Sequence, residues 1–336
     1  MGVVHLAQRR GQRPVALKVL RPNVVGDDEA RRRLAREVGS LSRVRSHLVA
    51  EVLDADPWGT IPYVATRYVP GLTLHDHASQ EGPIVGGDLL WFAECLAEAL
   101  AAVHAVGVLH RDIKPSNVIL EGRTPILIDF GLARLADDVK VTQTGFLLGT
   151  PGYLAPEILF GEEATEISDV HSWAATVAFA AQARAPFGGG PPMAVMDRVR
   201  RGEHDLGDVD GEIRELLTAA LVVDPDQRPD LAEVREWLSE LSDSAPRRWD
   251  RPETPPATMP YASLALDPTP PGMPPTVVET GATQTHPLPG SGEWSAWTPV
   301  EPVVRVGIAE RLRGAVLVAA SGAALAGATA AAPWVT

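Results

Sequence analysis

His110-Arg111-Asp112-Ile113-Lys114-Pro115-Ser116-Asn117 sets a carboxylate, an ammonium and a carboxamide at fixed offsets, Lys114 two residues and Asn117 five residues beyond Asp112. Groups of these types at this spacing suit a loop that holds a hydroxyl, a phosphate and a divalent metal together. An acid near a lysine is by itself an ordinary surface pair, and only the full string carries the reading. The apolar Val118-Ile119-Leu120 that follows reads as a short strand, Glu121-Gly122-Arg123 as a turn, and Ile126-Leu127-Ile128 as a second strand running into Asp129-Phe130-Gly131. The result is a hairpin with a chemistry-bearing loop at one end and a second carboxylate at the other.

At 336 residues the chain can bury one large two-lobed core or two ordinary domains and still leave a tail. A formal net charge of -13 argues against a broad nucleic-acid-binding face. The single cysteine, Cys95, excludes an internal disulfide framework and sits in an Ala/Leu-rich helical run as a small core residue. No charged segment followed by a long apolar core opens the chain, so no signal peptide is visible.

The loop His110 to Asn117 and the triplet Asp129 to Gly131 resemble the catalytic loop and metal-binding motif of the eukaryotic-like protein kinases. The resemblance implies that Asp112 accepts the proton of the substrate hydroxyl, and that Asn117 and Asp129 hold magnesium, or manganese in its place. Lys114 resembles the lysine of the serine/threonine branch and would steady the transferring phosphoryl group by charge. Lysine usage points the same way: the chain holds only Lys18, Lys114 and Lys140, and two of the three fall where this pattern calls for a compact ammonium.

Upstream, Val3 to Ala7 and Val15 to Leu20 read as strand, turn, strand. Val15-Ala16-Leu17-Lys18 resembles the third strand of kinases, whose lysine pairs with the α- and β-phosphates of ATP and whose alanine, Ala16 here, packs on the adenine. Asp27 to Val44 is an amphipathic helix pattern with Leu34, Val38 and Leu41 on one face. Glu37 lies among these apolar positions and would be costly to bury without a cation, and Lys18 is the natural one. Glu29, the rival, falls in the first turn, where an acid suits the helix dipole. Of the family's glycine-rich loop only the segment Gly2-Val3-Val4 matches, so the first strand and two glycines are expected before Met1, with the start upstream.

Val49 to Asp56 and Ile61 to Val69 alternate like two more strands. By the resemblance Thr66 stands behind the adenine and Arg67-Tyr68-Val69 is the hinge, with Tyr68 and Val69 contacting the base through their backbone and Leu120 counted with the nucleotide contacts. Arg67 stands where an acid is usual. Pro70-Gly71 ends the small lobe. A helix from Gly87 to Ala105, with Asp88 as its N-cap, then delivers His110 to the loop.

Leu132 to Glu157 resembles the kinase activation segment, closed by Ala155-Pro156-Glu157. Glu157 is expected to pair with Arg228, and Thr150, in the peptide-docking stretch Gly149 to Tyr153, to bond Asp112 and Lys114. A phosphate on Thr142 or Thr144 would pair with Arg111 and order the segment. The resemblance to bacterial kinases with paired threonines here implies autophosphorylation, with a homodimer as the partner for reaction in trans. Asp169 resembles the inward-pointing aspartate that caps the backbone of the catalytic loop. Helices are expected over Ile167 to Ala183, Met193 to Arg201, Ile213 to Leu221 and Leu231 to Leu241.

Residues 243–305 are rich in Pro and Thr and read as a disordered linker. Arg305, Arg311 and Arg313 then precede a stretch from Gly314 to Thr336 without any charge, and 314–335 is long enough for a transmembrane helix. Arginines on its near side would keep the rest at the cytoplasmic face of the cell membrane, single-pass. An Ala-rich helix packed on a partner is the competing reading.

The expected fold is therefore α+β, the two-lobed protein-kinase fold, with its small β-rich lobe over 1–69 and its helical lobe over 70–242. The expected activity is transfer of the ATP γ-phosphoryl to serine or threonine of protein substrates. The alternative, a pseudokinase or membrane-anchored signalling scaffold, rests on the incomplete glycine-rich loop. A small-molecule phosphotransferase is disfavoured by the stretch Gly149 to Glu157.

Overall fold

The structure is a computed structural model that describes residues 3–8, 12–20, 28–129, 150–207, 209, 211–244 and 298–299. Strands β1 (Val3–Gln8) and β2 (Val15–Val19) pair antiparallel, β3 (Val52–Asp56) pairs with β4 (Tyr63–Arg67), and β2 lies against β4, so these four run in the order β3-β4-β2-β1. Residues opposite one another share a face. The register therefore aligns Val4, Lys18 and Val64 in one row and Leu6, Ala16 and Thr66 in the next. The other face carries Ala7, Val15, Leu17 and Ala65, which bury together.

Helix α1 (Asp28–Leu41) turns Leu34, Val38 and Leu41 inward, the spacing that places them on one stripe. It stops three residues short of the sequence expectation, where Ser42 turns its hydroxyl back onto the Gly39 carbonyl at 3.0 Å. Arg31 ties the helix to the turn between β3 and β4, donating from Nη1 to the carbonyls of Pro57 (3.2 Å) and Gly59 (3.1 Å).

The helical lobe opens with β5 (Leu72–Thr73) and α2 (Leu74–Gln80), capped by Thr73, whose Oγ1 accepts from the Asp76 amide. Helix α3 (Gly87–His104) begins after Gly86 at φ 60, so Asp88 is not the N-cap: it sits inside the first turn and pairs with Arg123 at 3.2 Å. Glycine takes that positive-φ conformation without the steric cost that a residue with a Cβ would meet there. β6 (Val118–Glu121) and β7 (Thr124–Leu127) form the expected hairpin, with Gly122 at φ 65 in its two-residue turn. Then follow α4 (Pro156–Phe160), α5 (Glu166–Gln182), α6 (Pro192–Arg201), α7 (Gly211–Ala220) and α8 (Leu231–Ser244).

α5 begins with a capping box between Thr165 and Ser168 and is buried without a break from Ser168 to Ala180. Trp173, fully buried, donates its Nε1–H to the Ala93 carbonyl of α3 at 3.2 Å. Large apolar side chains such as Phe92, Leu96, Leu100 and Leu216 are buried in the same core, each contributing about 1.5–3 kcal/mol by leaving water. The two lobes are stitched where Ala50 N donates to Leu127 O (2.9 Å) and Leu127 N to Leu48 O (2.8 Å).

Among the described residues no helix is long and apolar enough to cross a membrane. The stretch 314–335, nearly all of the linker 243–305, and Thr142 and Thr144 lie outside the described residues.

Candidate active site

The loop from His110 to Asn117 is built around two anchors. Asp169, buried in α5, accepts the His110 amide on Oδ2 and the Arg111 amide on Oδ1, both at 2.8 Å. Its Oδ2 is also 2.9 Å from His104 Nε2. Arg111 stands at φ 62, a conformation costly for a side chain with a Cβ, and the bonds to Asp169 offset that strain. The second anchor is His110, fully buried. The Asp112 amide donates to its Nδ1 (3.3 Å), so the ring proton lies on Nε2, which donates to the Ile128 carbonyl at 3.2 Å. Burial holds this imidazole below its usual pKa despite the raising influence of Asp169, so the ring stays neutral. Loop and Asp129 strand are thereby fixed to each other.

Asp112 Oδ2 accepts from Lys114 Nζ at 2.8 Å and from Asn117 Nδ2 at 2.9 Å, and the same Asn117 amide reaches the Asp112 carbonyl at 2.8 Å. A carboxylate, an ammonium and a carboxamide therefore converge on one point, as the offsets of two and five residues require. Thr150 does not join them: it is exposed, and among the described residues its side chain bonds neither Asp112 nor Lys114, which are already paired to each other.

Lys18 Nζ lies 2.9 Å from Asp129 Oδ1. The pairing of Lys18 with Glu37 expected from the sequence is not made. Glu37 has Arg111 as its cation instead, with Nη1 at 3.7 Å from Oε1. Burial pushes the Glu37 carboxyl up to about 7, and the Arg111 charge draws it down less than burial raises it. Lys18 is instead paired with Asp129, which stands at φ 56.

Around Lys18 and Asp129 the sheet encloses a narrow cavity of about 30 Å³, lined also by Val4, Ala16, Val52, Val64 and Thr66. Ala16 and Thr66 are opposite one another across β2 and β4. Tyr68, Val69 and Leu120, also expected at the nucleotide, are not among the residues that line this cavity; Val69 and Leu120 are buried and Tyr68 is half-buried. Val4, Val52 and Val64 were not singled out by the sequence reading, although strand alternation carried them: Val4 and Val64 both stand opposite Lys18, and Val52 opposite Thr66. A larger depression of about 380 Å³, lined by Arg45, His47, Glu51 and Glu98 among others, holds none of these groups.

Glu157 and Arg228 meet in the core of the helical lobe, Oε1 to Nη1 at 2.9 Å and Oε2 to Nη2 at 3.0 Å. Burial pushes the Glu157 carboxyl up, but the bonds and charge of Arg228 outweigh it and leave the pKa below its usual value. Arg228 also donates to the carbonyls of Val222, Val223 and Ile167, so its remaining donors are used. One buried group near this pair escaped the sequence reading. His171, two residues beyond Asp169, is fully buried, stacked on Phe187 at 5.7 Å, and among the described residues has no partner for either ring nitrogen.

The donor chemistry of Asn117 and Asp129 fits a hard divalent cation. With Nδ2 of Asn117 committed to Asp112, its Oδ1 is the atom available, and Asp129 adds a carboxylate. Two protein oxygens completed by phosphate and water oxygens are what Mg²⁺ ordinarily takes.

Comparison with known proteins gives these positions a context. Residues 1–237 match the protein kinase domain family. The probable serine/threonine-protein kinase PkwA of Thermomonospora curvata is 39% identical over 281 residues, covering 81% of this chain and 38% of that protein. The serine/threonine-protein kinase AfsK of Streptomyces coelicolor is 35% identical over 240 residues, 71% of this chain and 30% of its own. PknB of Mycolicibacterium smegmatis, another serine/threonine-protein kinase, is 33% identical over 241 residues, 68% of this chain and 39% of its own. The chain thus spans well under half the length of each of these relatives. Among solved structures, Rad53 1-466 in complex with AMP-PNP matches with a TM-score of 0.56 at 22% identity, over 67% of this chain and 58% of that one, a likeness of fold. Two lobes, a catalytic-type loop capped from α5 and a match over residues 1–237 lead to one conclusion: the chain belongs to the protein kinase family, among the eukaryotic-like serine/threonine kinases of bacteria.

Proposed function

We propose that the chain transfers the γ-phosphoryl group of ATP to serine or threonine hydroxyls of proteins, with Mg²⁺ as the metal. The observation that carries this is the convergence of Lys114 Nζ and Asn117 Nδ2 on the Asp112 carboxylate, 2.8 and 2.9 Å away. In this reading the Asp112 carboxylate orients the acceptor hydroxyl and takes its proton as the oxygen bonds to the γ-phosphorus. The bond from that phosphorus to the bridging oxygen breaks, and the electron pair leaves with ADP. Lys114 offsets charge on the transferring group, Lys18 the charge of the α- and β-phosphates. Asn117 and Asp129 are the residues that would hold the metal, which when bound neutralises phosphate charge. Ala16, Thr66, Tyr68, Val69 and Leu120 would enclose the adenine.

The same reading includes autophosphorylation at Thr142 and Thr144, exchanged between two copies of the chain, and a single-pass membrane anchor at 314–335 with the kinase domain on the cytoplasmic side. The uncharged run after Arg313 supports the anchor. Loss of the chain from the membrane fraction on deleting 314–336 is the expected result, and unchanged fractionation would remove the anchor from the reading.

Labelled phosphate from Mg-ATP tests the activity itself. Incorporation into threonine of the purified chain and into myelin basic protein is expected, with Asp112→Asn lowering it by about 10²-fold or more. Equal incorporation by Asp112→Asn would refute the role of Asp112, and none by the wild type would refute the activity.

A further inference from the structure

Three ion pairs join the small lobe to the large one among the described residues: Lys18 with Asp129, Glu37 with Arg111, and Arg67 with Glu121. The first uses groups that the proposed chemistry needs for phosphate and metal, and the second uses the glutamate expected to pair with Lys18 and the arginine expected to meet a phosphothreonine. The third uses none of them. Arg67 is the last residue of β4, directly after Thr66, which lines the nucleotide cavity. Strand alternation sends its side chain out of the opposite face. There Nη1 lies 3.2 Å from each carboxylate oxygen of Glu121, 54 residues away at the end of β6.

The connection that follows is fastened at its other end as well. Leu72 and Thr73 pair with Leu120 and Ile119 of β6. Gly71, at φ 147, passes so close that a Cβ there would sit 2.0 Å from the Leu120 carbonyl oxygen. Between the two fastenings Val69 is buried with Ala50 and Ile126. The backbone of Tyr68 and Val69, which the kinase reading places against the adenine, is thus stretched between an ion pair and a strand pairing on one and the same strand, β6. Leu120, adjacent to Glu121, is on that strand too.

We infer that Arg67 and Glu121 form a clasp across the hinge that sets the height of the adenine slot, which makes Arg67 a positioning residue for the nucleotide. This rests on the proposed nucleotide site and assigns a role within it to two side chains that never meet the ligand. Because the clasp lies outside the group of residues that exchange partners, it persists through nucleotide binding and release and keeps the lobes in register while Lys18 and Asp129 separate. Both side chains are about a third exposed, 32% and 38%. The effect is therefore modest, about two- to fivefold, in keeping with ion pairs that face solvent.

The test is a double-mutant cycle on the full chain, read by calorimetric titration with Mg-ADP and by steady-state kinetics with ATP varied and myelin basic protein as acceptor. Arg67→Gln and Glu121→Gln should each weaken Mg-ADP and raise KM for ATP by about two- to fivefold, with kcat changing by less than about twofold. The double variant should be no worse than either single one, and the exchange R67E/E121R should recover wild-type affinity. Single variants that bind like the wild type, or losses that simply add, would overturn the clasp while leaving the nucleotide site intact. A wild-type chain that binds no Mg-ADP would overturn the nucleotide site and the clasp with it. Thermal unfolding of the exchange variant guards against loss of fold.

Discussion

Lys18 Nζ and Asp129 Oδ1 are 2.9 Å apart, so in the free protein a cation assigned to phosphate and a carboxylate assigned to metal neutralise each other. In the proposed function phosphate and metal would compete with this pair for both groups. Replacing Asp129 by Asn leaves the shape and frees the lysine, with two consequences of opposite sense. Phosphoryl transfer should fall by about 10²-fold or more as a metal ligand is lost, while binding of ATP in the presence of EDTA should be as tight as in the wild type or tighter. Weaker metal-free binding would show that the pair holds the site open instead of holding it closed.

Glu37 gives the fold a pH dependence of unusual sign for an acid. Burial raises its pKa from 4.5 to about 7. The folded chain then binds more protons than the unfolded one between these values, so this group's contribution to stability falls as pH rises through the window. In Glu37→Gln that component disappears. Urea unfolding from pH 5 to pH 8 should show a flatter profile in the variant, and identical profiles would mean that the carboxyl is not held in its apolar setting.

The pair Glu157–Arg228 is expected to matter most to stability when only one member is removed. Arg228→Ala leaves a buried carboxylate without its cation, which costs about 3–5 kcal/mol. The low pKa of Glu157 makes the pair's contribution complete above its ordinary value and lost as pH falls through the folded one. A loss of unfolding free energy below about 1 kcal/mol in urea titration would contradict the burial described above.

His171 should be improvable. Its two ring nitrogens are buried without partners among the described residues, and burial, reinforced by the charges of Arg228 and His204, keeps its pKa well below the usual value. Unfolding lets it take up a proton, so stability declines as pH drops through the unfolded pKa near 6.5. His171→Phe keeps the stack on Phe187 and removes two unsatisfied polar atoms. A gain of about 1–2 kcal/mol at pH 7, larger at pH 5, is expected. A loss at both pH values would show that the ring has a partner.

Elements with a strong period or a specific string were readable from the residues: the hairpin β6–β7, the stripe Leu34, Val38 and Leu41, and the convergence on Asp112. What escaped depended on distances that no spacing encodes. Glu37 could be recognised as needing a cation, but the sequence does not show that Arg111 comes within reach of it while Lys18 pairs with Asp129. The start of α3 was misread because Asp88 has the chemistry of a cap, whereas Gly86 has the backbone freedom the turn needs. His171 gave no signal at all, since a histidine in an apolar helix looks the same whether its nitrogens are satisfied or not.

Asp169 sits in the stretch of α5 that is buried from Ser168 to Ala180, so the backbone of His110 and Arg111 takes its position from the central helix of the large lobe. A substitution that displaces α5 would displace the loop with it, without touching any of the loop's own residues.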